Sequence, residues 1–267
     1  MITNNGKKQH LSVIAGKAYS FADKFVLGAS EAVMPESATD LDFTWGSFDI
    51  TDSVIDEQLQ QVVFYGTIPA ELAGEIKEIG MLTLDSALID SGQPINRTFF
   101  FGSEEGWKPM DEEEFTYTNK DSKMGPENIT WEDIAIGQAI KLDDININIS
   151  DMNLFKSKIL AENETTIEIS FYSSDVEKAS KEFILQDGEN FLKTEFAGFD
   201  KTSGFDSYSI KAILLKIISG SGNLDLDCLI LSNTNNGGLV MREVLPNPIQ
   251  KQSGSSMEIE MAVMLSV

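Results

Sequence analysis

His10 and Cys228 are the only histidine and the only cysteine in the 267-residue chain. Any Ser-His-Asp or Cys-His arrangement must therefore be built around these two positions. His10 lies among lysines in KKQHLSV, at a turn-to-helix start, and Cys228 lies in the alternating run LDLDCLILS, a pattern that favours a small buried core residue over a nucleophile. One cysteine excludes an intrachain disulfide and any multi-cysteine zinc site. Phosphate-loop, dinucleotide and H-E-x-x-H signatures do not occur in the sequence. Carboxylates are so frequent, with Glu104, Glu105 and Asp111 to Glu114 as the densest groups, that spacing nominates no glycosidase acid and base. Asp225 and Asp227, two apart in LDLD, share one strand face and are the candidates for holding calcium together with loop carbonyls; the polar outer face of a strand is the alternative. Trp107, after EEG, and Phe205, in TSGFDSY, are the rings expected at the surface, where an aromatic side chain stacks on the apolar face of a pyranose. Phe115, Tyr117, Trp131, Phe199 and Tyr208 are further rings placed in loops or at strand edges.

Composition narrows the partners. Twenty basic and 43 acidic residues give a formal charge of −23, which opposes binding to nucleic acid and to anionic lipid surfaces. No window approaches the roughly 20 apolar residues of a spanning helix, so no membrane insertion is expected. The opening MITNNGKKQHLSVIAG lacks an apolar run followed by a small-residue cleavage site, so classical secretion is not expected either. With no disulfide available, stability must come from packing or oligomerisation.

The elements that carry these residues read as mainly β. Residues 1–91 supply FADKFVLGAS, DLDFTWGSFDI and QQVVFYGTIPAELAGEIKEIGML, strands separated by turns at Gly28, Pro35 and Pro69, with at most one short helix near residues 7–18 after an Asn-Asn-Gly turn signal. From 92 to 234 short strands recur every 10 to 15 residues or so, the spacing of a two-sheet β-sandwich. Alternation there is clearest in DININIS and LDLDCLIL. The last segment, 235–267, is nearly neutral, with two basic and three acidic residues. In its closing MEIEMAVML, Met257, Ile259, Met261, Val263 and Leu265 face one way and Glu258 and Glu260 the other.

The first and last segments together resemble the collar-type, virion-attached domains of tailed-bacteriophage tail fibres and related virion proteins. The resemblance rests on ITNNGKK, KFVLGAS, TDLDFTWGSFDI and GTIPAELAGEIKEIGML, and on LVMREVLPNPIQKQSGSSMEIEMAVML at the end. In that family the EIGL strand runs almost directly into the L..R strand, whereas here about 145 residues separate them. The family pattern therefore implies that 92–234 is a guest domain inserted into a discontinuous host, 1–91 plus 235–267, at an exposed hairpin. The guest is itself similar to carbohydrate-binding-module-like jelly rolls, through FFFGSEEGW at its start and GNLDLDCLIL at its end. The expected fold is thus a small β-rich (α+β) attachment domain interrupted by an inserted jelly-roll-like β-sandwich.

The resemblance implies a non-enzymatic structural protein of the virion, in a tail fibre, baseplate or collar, assembled in the host cytoplasm. It implies docking on other virion proteins, self-association as a homo-oligomer with a trimer as the family pattern, and a sandwich that contacts host surface glycans or acts as a plain spacer. No cofactor is expected apart from the calcium considered above. A capsid decoration or head-fibre protein is one alternative; a carbohydrate-binding module or glycan-degrading enzyme is another.

Overall fold

The computed structural model describes residues 1–38, 40–84, 96–102, 106–110, 116–118, 127–233 and 238–264. Glu104, Glu105, Asp111 to Glu114, Phe115 and Leu265 lie outside them, as does the side chain of Tyr117. The elements run α1 (Asn4–Ile14), β1 (Lys24–Gly28), β2 (Thr44–Asp56), β3 (Gln61–Ile68), β4 (Gly74–Leu82), β5 (Asn96–Phe100), β6 (Lys108–Pro109), β7 (Thr116–Thr118), β8 (Asn128–Trp131) and β9 (Ala139–Leu142). They continue with β10 (Leu154–Ala161), β11 (Thr165–Tyr172), β12 (Lys178–Leu185), β13 (Gly188–Glu195), β14 (Asp200–Lys201), β15 (Ala212–Ser219), β16 (Leu224–Ser232), β17 (Leu239–Lys251) and β18 (Met257–Met264). Two compact units emerge: residues 1–94 with 234–267, and residues 95–233. The sequence reading places its divisions at 91/92 and 234/235.

The first unit is one six-stranded sheet in the order β17-β4-β1-β2-β3-β18, antiparallel at every pairing. Phe25 and Leu27 of β1 are buried on one face, and Val26 is buried on the other with Leu41, Leu82 and Leu239. The alternation of MEIEMAVM appears in β18, where Ile259, Met261 and Val263 are buried and Glu258, Glu260, Ala262 and Met264 are exposed. Pro246 and Pro248 lack a backbone donor, and both fall in the stretch of β17 between Val244 and Ile249 that slips out of register with β4.

Between the edge strand β17 and its neighbour β4 the Arg242 Nε donates to Glu78 Oε2 at 2.6 Å, between residues 164 positions apart, both buried. The Arg242 Nη2 also donates to the Ala32 carbonyl at 2.7 Å, and the Phe43 amide donates to Glu78 Oε1 at 3.2 Å. Burial pushes the Glu78 carboxyl above its usual range, against the pull of the Arg242 guanidinium. Gly28 sits opposite Glu78 across the β1–β4 ladder, and a Cβ there would come within 2.4 Å of Glu78 Oε1. A side chain at position 28 would therefore displace the Glu78 carboxylate from the ion pair.

The expected helix forms, but earlier, at Asn4–Ile14, and the Asn-Asn-Gly turn signal lies within its first turns. Tertiary contact overrides the local preference. The Thr3 hydroxyl caps the Gly6 amide and donates to the Leu239 carbonyl, and Gly6 lies so close to β17 that a Cβ would sit 2.1 Å from the Val240 carbonyl oxygen.

The second unit is a two-sheet β-sandwich. One sheet runs β13-β10-β16-β8-β7, with β5 also paired to β16; the other runs β14-β12-β11-β15-β9-β6. Its core is aromatic-rich, and Phe155 from the first sheet meets Phe183 at 5.4 Å and Phe171 at 6.2 Å from the second. DININIS forms no strand. It makes a single bridge, Ile147 to Ile210, although Ile145, Ile147 and Ile149 still point to the core, because alternate burial does not require a continuous ladder.

Within each unit the two chain ends meet each other. Leu82 and Leu239 stand opposite each other on β4 and β17, and Asn96 and Ser232 stand opposite each other on β5 and β16. Replacing 95–233 by a short Gly/Ser linker is expected to leave a remnant that unfolds cooperatively in urea; a molten remnant would count against two independent cores. Truncating Glu78 to Ala leaves a buried guanidinium uncompensated and is expected to cost about 3–5 kcal/mol in the same measurement, whereas replacing both partners by Leu and Met is expected to cost far less.

Candidate functional site

The outer face of the sheet containing β11 and β15 carries a cleft of about 450 Å³. Core-facing Ile169 and Phe171 on β11, and Ile213 and Leu215 on β15, turn the intervening residues outward, so that Tyr172, Ala212 and Leu214 form its floor. Lys141 stands beside Leu214 in the ladder, and Asp143 and Asp144 follow β9 on the rim, with Asp144 in the left-handed region at φ 58°. Asp175 closes the opposite side from the turn after β11, held where the Glu177 amide donates to the Ser174 hydroxyl at 3.1 Å.

The charged rim is internally braced. Lys108 and Lys141 lie 3.4 and 3.7 Å from Asp143, and Lys211 Nζ donates to Asn146 Oδ1 at 2.9 Å. Lys178 sits 5.9 Å from the centre of the half-buried Tyr172 ring and donates to Glu168 at 2.8 Å, which helps hold the Glu168 carboxyl below its usual range against the effect of burial. An apolar floor with one phenol ring, ringed by carboxylates and amines, offers stacking together with both acceptors and donors. That combination suits a neutral, polyhydroxylated ligand.

The outer face of the other sheet is set by a bulge. Lys158 stands opposite Cys228 and Ile159 opposite Leu226, which leaves Asp227 as an extra residue in β16. Before the bulge Leu224 and Leu226 point into the core, and after it Leu229 and Leu231 do. On the outward side the buried Lys158 ammonium lies 3.3 Å from Asp227, 3.5 Å from Glu189 and 5.8 Å from the Phe191 ring centre.

These positions correct several sequence expectations. Trp107 is 3% exposed and stacks on Phe101 at 4.4 Å, so it is part of the sandwich core and not a surface platform. Phe205 is half-buried and packs against the same core. Trp131 and Phe199 are buried, and Tyr208 is exposed. Asp225 accepts from the Thr130 hydroxyl at 2.5 Å and Asp227 lies 3.3 Å from the Lys158 ammonium, so each of the two carboxylates has its own protein partner. Among the described residues, no group of three or more His, Cys, Asp or Glu side chains is placed to hold a metal. Cys228 is buried, and burial pushes its thiol well up, away from nucleophilic use. Tyr172 escapes the sequence reading. Its signal is an aromatic residue closing the alternating TTIEISFY, immediately before the turn residues SSD.

No protein-family model matches the chain, and no curated protein matches it in sequence. Among solved structures, the chain is similar to a family 11 carbohydrate-binding module from Clostridium thermocellum in complex with a β-1,3-1,4-mixed-linked tetrasaccharide, at 12% identity and a TM-score of 0.40, over 53% of this chain and 96% of that one. It is also similar to the family 11 module of the cellulosomal cellulase Lic26A-Cel5E of Clostridium thermocellum, at 15% identity and a TM-score of 0.39, over 51% and 94%. A β-1,3-glucan-binding family 6 module from Bacillus halodurans aligns at 10% identity and a TM-score of 0.35, over 52% and 96%.

Proposed function

We propose that this chain is a non-enzymatic structural protein of a tailed-phage virion. Its discontinuous unit docks on other virion proteins, in a tail fibre, baseplate or collar, and its inserted sandwich presents a glycan-contacting face. The observation that carries this reading is the fate of the residues on which the resemblance rests. Gly28 of KFVLGAS, Glu78 of EIGML and Arg242 of LVMR meet in one buried cluster. Lys251 of PIQK is buried as well, with its ammonium donating to the Leu72 and Gln252 carbonyls at 2.9 and 2.8 Å. Such residues maintain a framework and perform no reaction. The non-enzymatic reading is also supported by the positions of the lone histidine, on α1 of the first unit, and the lone cysteine, buried on β16 of the second.

Within the sandwich, the Tyr172 cleft is the surface for a host glycan: the ring stacks on a sugar face, while Asp143, Asp175 and Lys211 exchange hydrogen bonds with hydroxyls.

Immunogold labelling of purified particles with antibody raised against the recombinant chain is expected to decorate one part of the virion. Absence of the chain from the particle proteins would overturn the structural role. For the cleft, Tyr172→Ala is expected to weaken binding on a host-glycan array by about 1–2 kcal/mol with little change in melting temperature. Trp107→Ala is expected to do the reverse, costing about 3–5 kcal/mol of sandwich stability. A native chain that binds no glycan would make the sandwich a spacer.

A further inference from the structure

Helix α1 is oriented against its own composition. It buries Gly6 and Gln9 and exposes Leu11 at 67% and Ile14 at 71%, with Val13 and Tyr19 exposed beside them. The Gln9 amide is fixed inward by its bonds to the Ser20 carbonyl at 2.7 Å and the Thr83 hydroxyl at 3.2 Å, which commits the helix to this rotation. Residues 1–21 contain Lys7, Lys8 and Lys17 and no acidic residue, in a chain of charge −23. Lys7 is paired with Glu36 at 2.6 Å, so Lys8 and Lys17 carry the positive charge of this surface. The exposed face is therefore apolar and locally basic.

A second exposed apolar surface lies on the same unit and has the opposite charge. Apart from the half-buried Asp56, the β2–β3 hairpin is exposed on both faces from residue 51 to 60, with Val54, Ile55 at 69% and Leu59 among the residues reaching solvent. Asp52, Asp56 and Glu57 flank them, and no basic residue occurs between 49 and 61; Asp49, at the base of the hairpin, is paired with Lys24 at 2.8 Å. The two surfaces belong to opposite ends of the six-stranded sheet: α1 packs on β17 at one edge, and the hairpin adjoins β18 at the other.

We propose that the α1 face of one copy receives the β2–β3 hairpin of a second copy, in a head-to-tail contact. Leu11, Ile14 and Tyr19 cover Val54, Ile55 and Leu59, and Lys8 and Lys17 face Asp52 and Glu57. Charge selects this pairing over the symmetric ones, because helix on helix sets lysine against lysine and hairpin on hairpin sets carboxylate against carboxylate. Since each copy carries one face of each kind, the contact repeats, and it closes into a ring when the rotation between copies allows. The inference does not depend on the virion reading or on the cleft.

The test uses the full chain and sedimentation equilibrium at high micromolar concentration. The native chain is expected to be oligomeric. Ile14→Asp and Ile55→Asp change residues that are largely exposed, so both variants are expected to keep the native melting temperature, while each weakens self-association about a hundredfold. Mixing them restores one intact helix face and one intact hairpin, and the mixture is expected to give a one-to-one dimer and nothing larger. Leu11→Asp with Leu59→Asp provides a second pair should either first variant fold poorly. A monomeric native chain, unchanged association in both variants, or a mixture that fails to complement would each overturn the proposal.

Discussion

The Glu78–Arg242 pair is the constraint around which the first unit is arranged. The guanidinium reaches from the returning segment to a carboxylate on β4 and to the Ala32 carbonyl, while the second carboxylate oxygen takes the Phe43 amide. One buried pair thus fixes the register of β17 on β4 and the path of the connection between β1 and β2, and it leaves no room for a side chain at position 28. Two charges removed from water are tolerable only with good geometry and further hydrogen bonds, and both conditions are met here. Its chemistry also explains how this unit can be discontinuous in sequence. The pair forms between strands whose ends lie opposite each other, at Leu82 and Leu239, so the closing interaction is local in space whatever length of chain intervenes.

In the sandwich, faces are assigned by alternation and then altered by a single insertion. Phe155, Ile159 and Ala161 point inward from β10, which sends Lys156 and Lys158 to the other side. The extra residue at Asp227 reverses the alternation of β16 midway, so that Cys228 leaves the core side and Leu229 enters it. On the opposite sheet no such shift occurs along Tyr172 to Ile169 of β11. Tyr172 accordingly follows Phe171 to the outside, where it becomes the floor of the cleft. The aromatic residues divide by this rule: those at inward positions form the core, and Tyr172, at the outward end of β11, lines the cleft.

The surplus of acid has an equally physical distribution. Much of it lies on exposed loops and outward strand positions, where water carries the cost of charge. Where carboxylates enter the interior they have partners: Arg242 for Glu78, Lys158 for Asp227, the Ser30 hydroxyl for Asp42, and the Thr44 hydroxyl and Leu41 amide for Asp40. A stretch free of acid, residues 1–21, stands out against that background more sharply than the same lysines would in a neutral protein.

Local pattern determined a good part of this protein. The alternation of MEIEMAVM settled which side of β18 is buried, and the regular spacing of short strands from 92 to 234 is the signature of the sandwich that forms there, because side-chain direction in a strand has a period of two and needs no distant information. Tertiary structure alone decided the rest. Nothing near Trp107 in FFFGSEEGW shows that its ring stacks on Phe101, and nothing in LDLDCLIL marks Asp227 as the bulged residue that pairs with Lys158. Asn5 and Gly6 read as a turn until Thr3 and Val240 draw them into a helix. Glu78 and Arg242 are ordinary charged residues in sequence, and their burial follows from a contact 164 positions away. In each case the deciding energy is desolvation or packing against a partner brought close only by the finished fold, a quantity that no local window of residues contains.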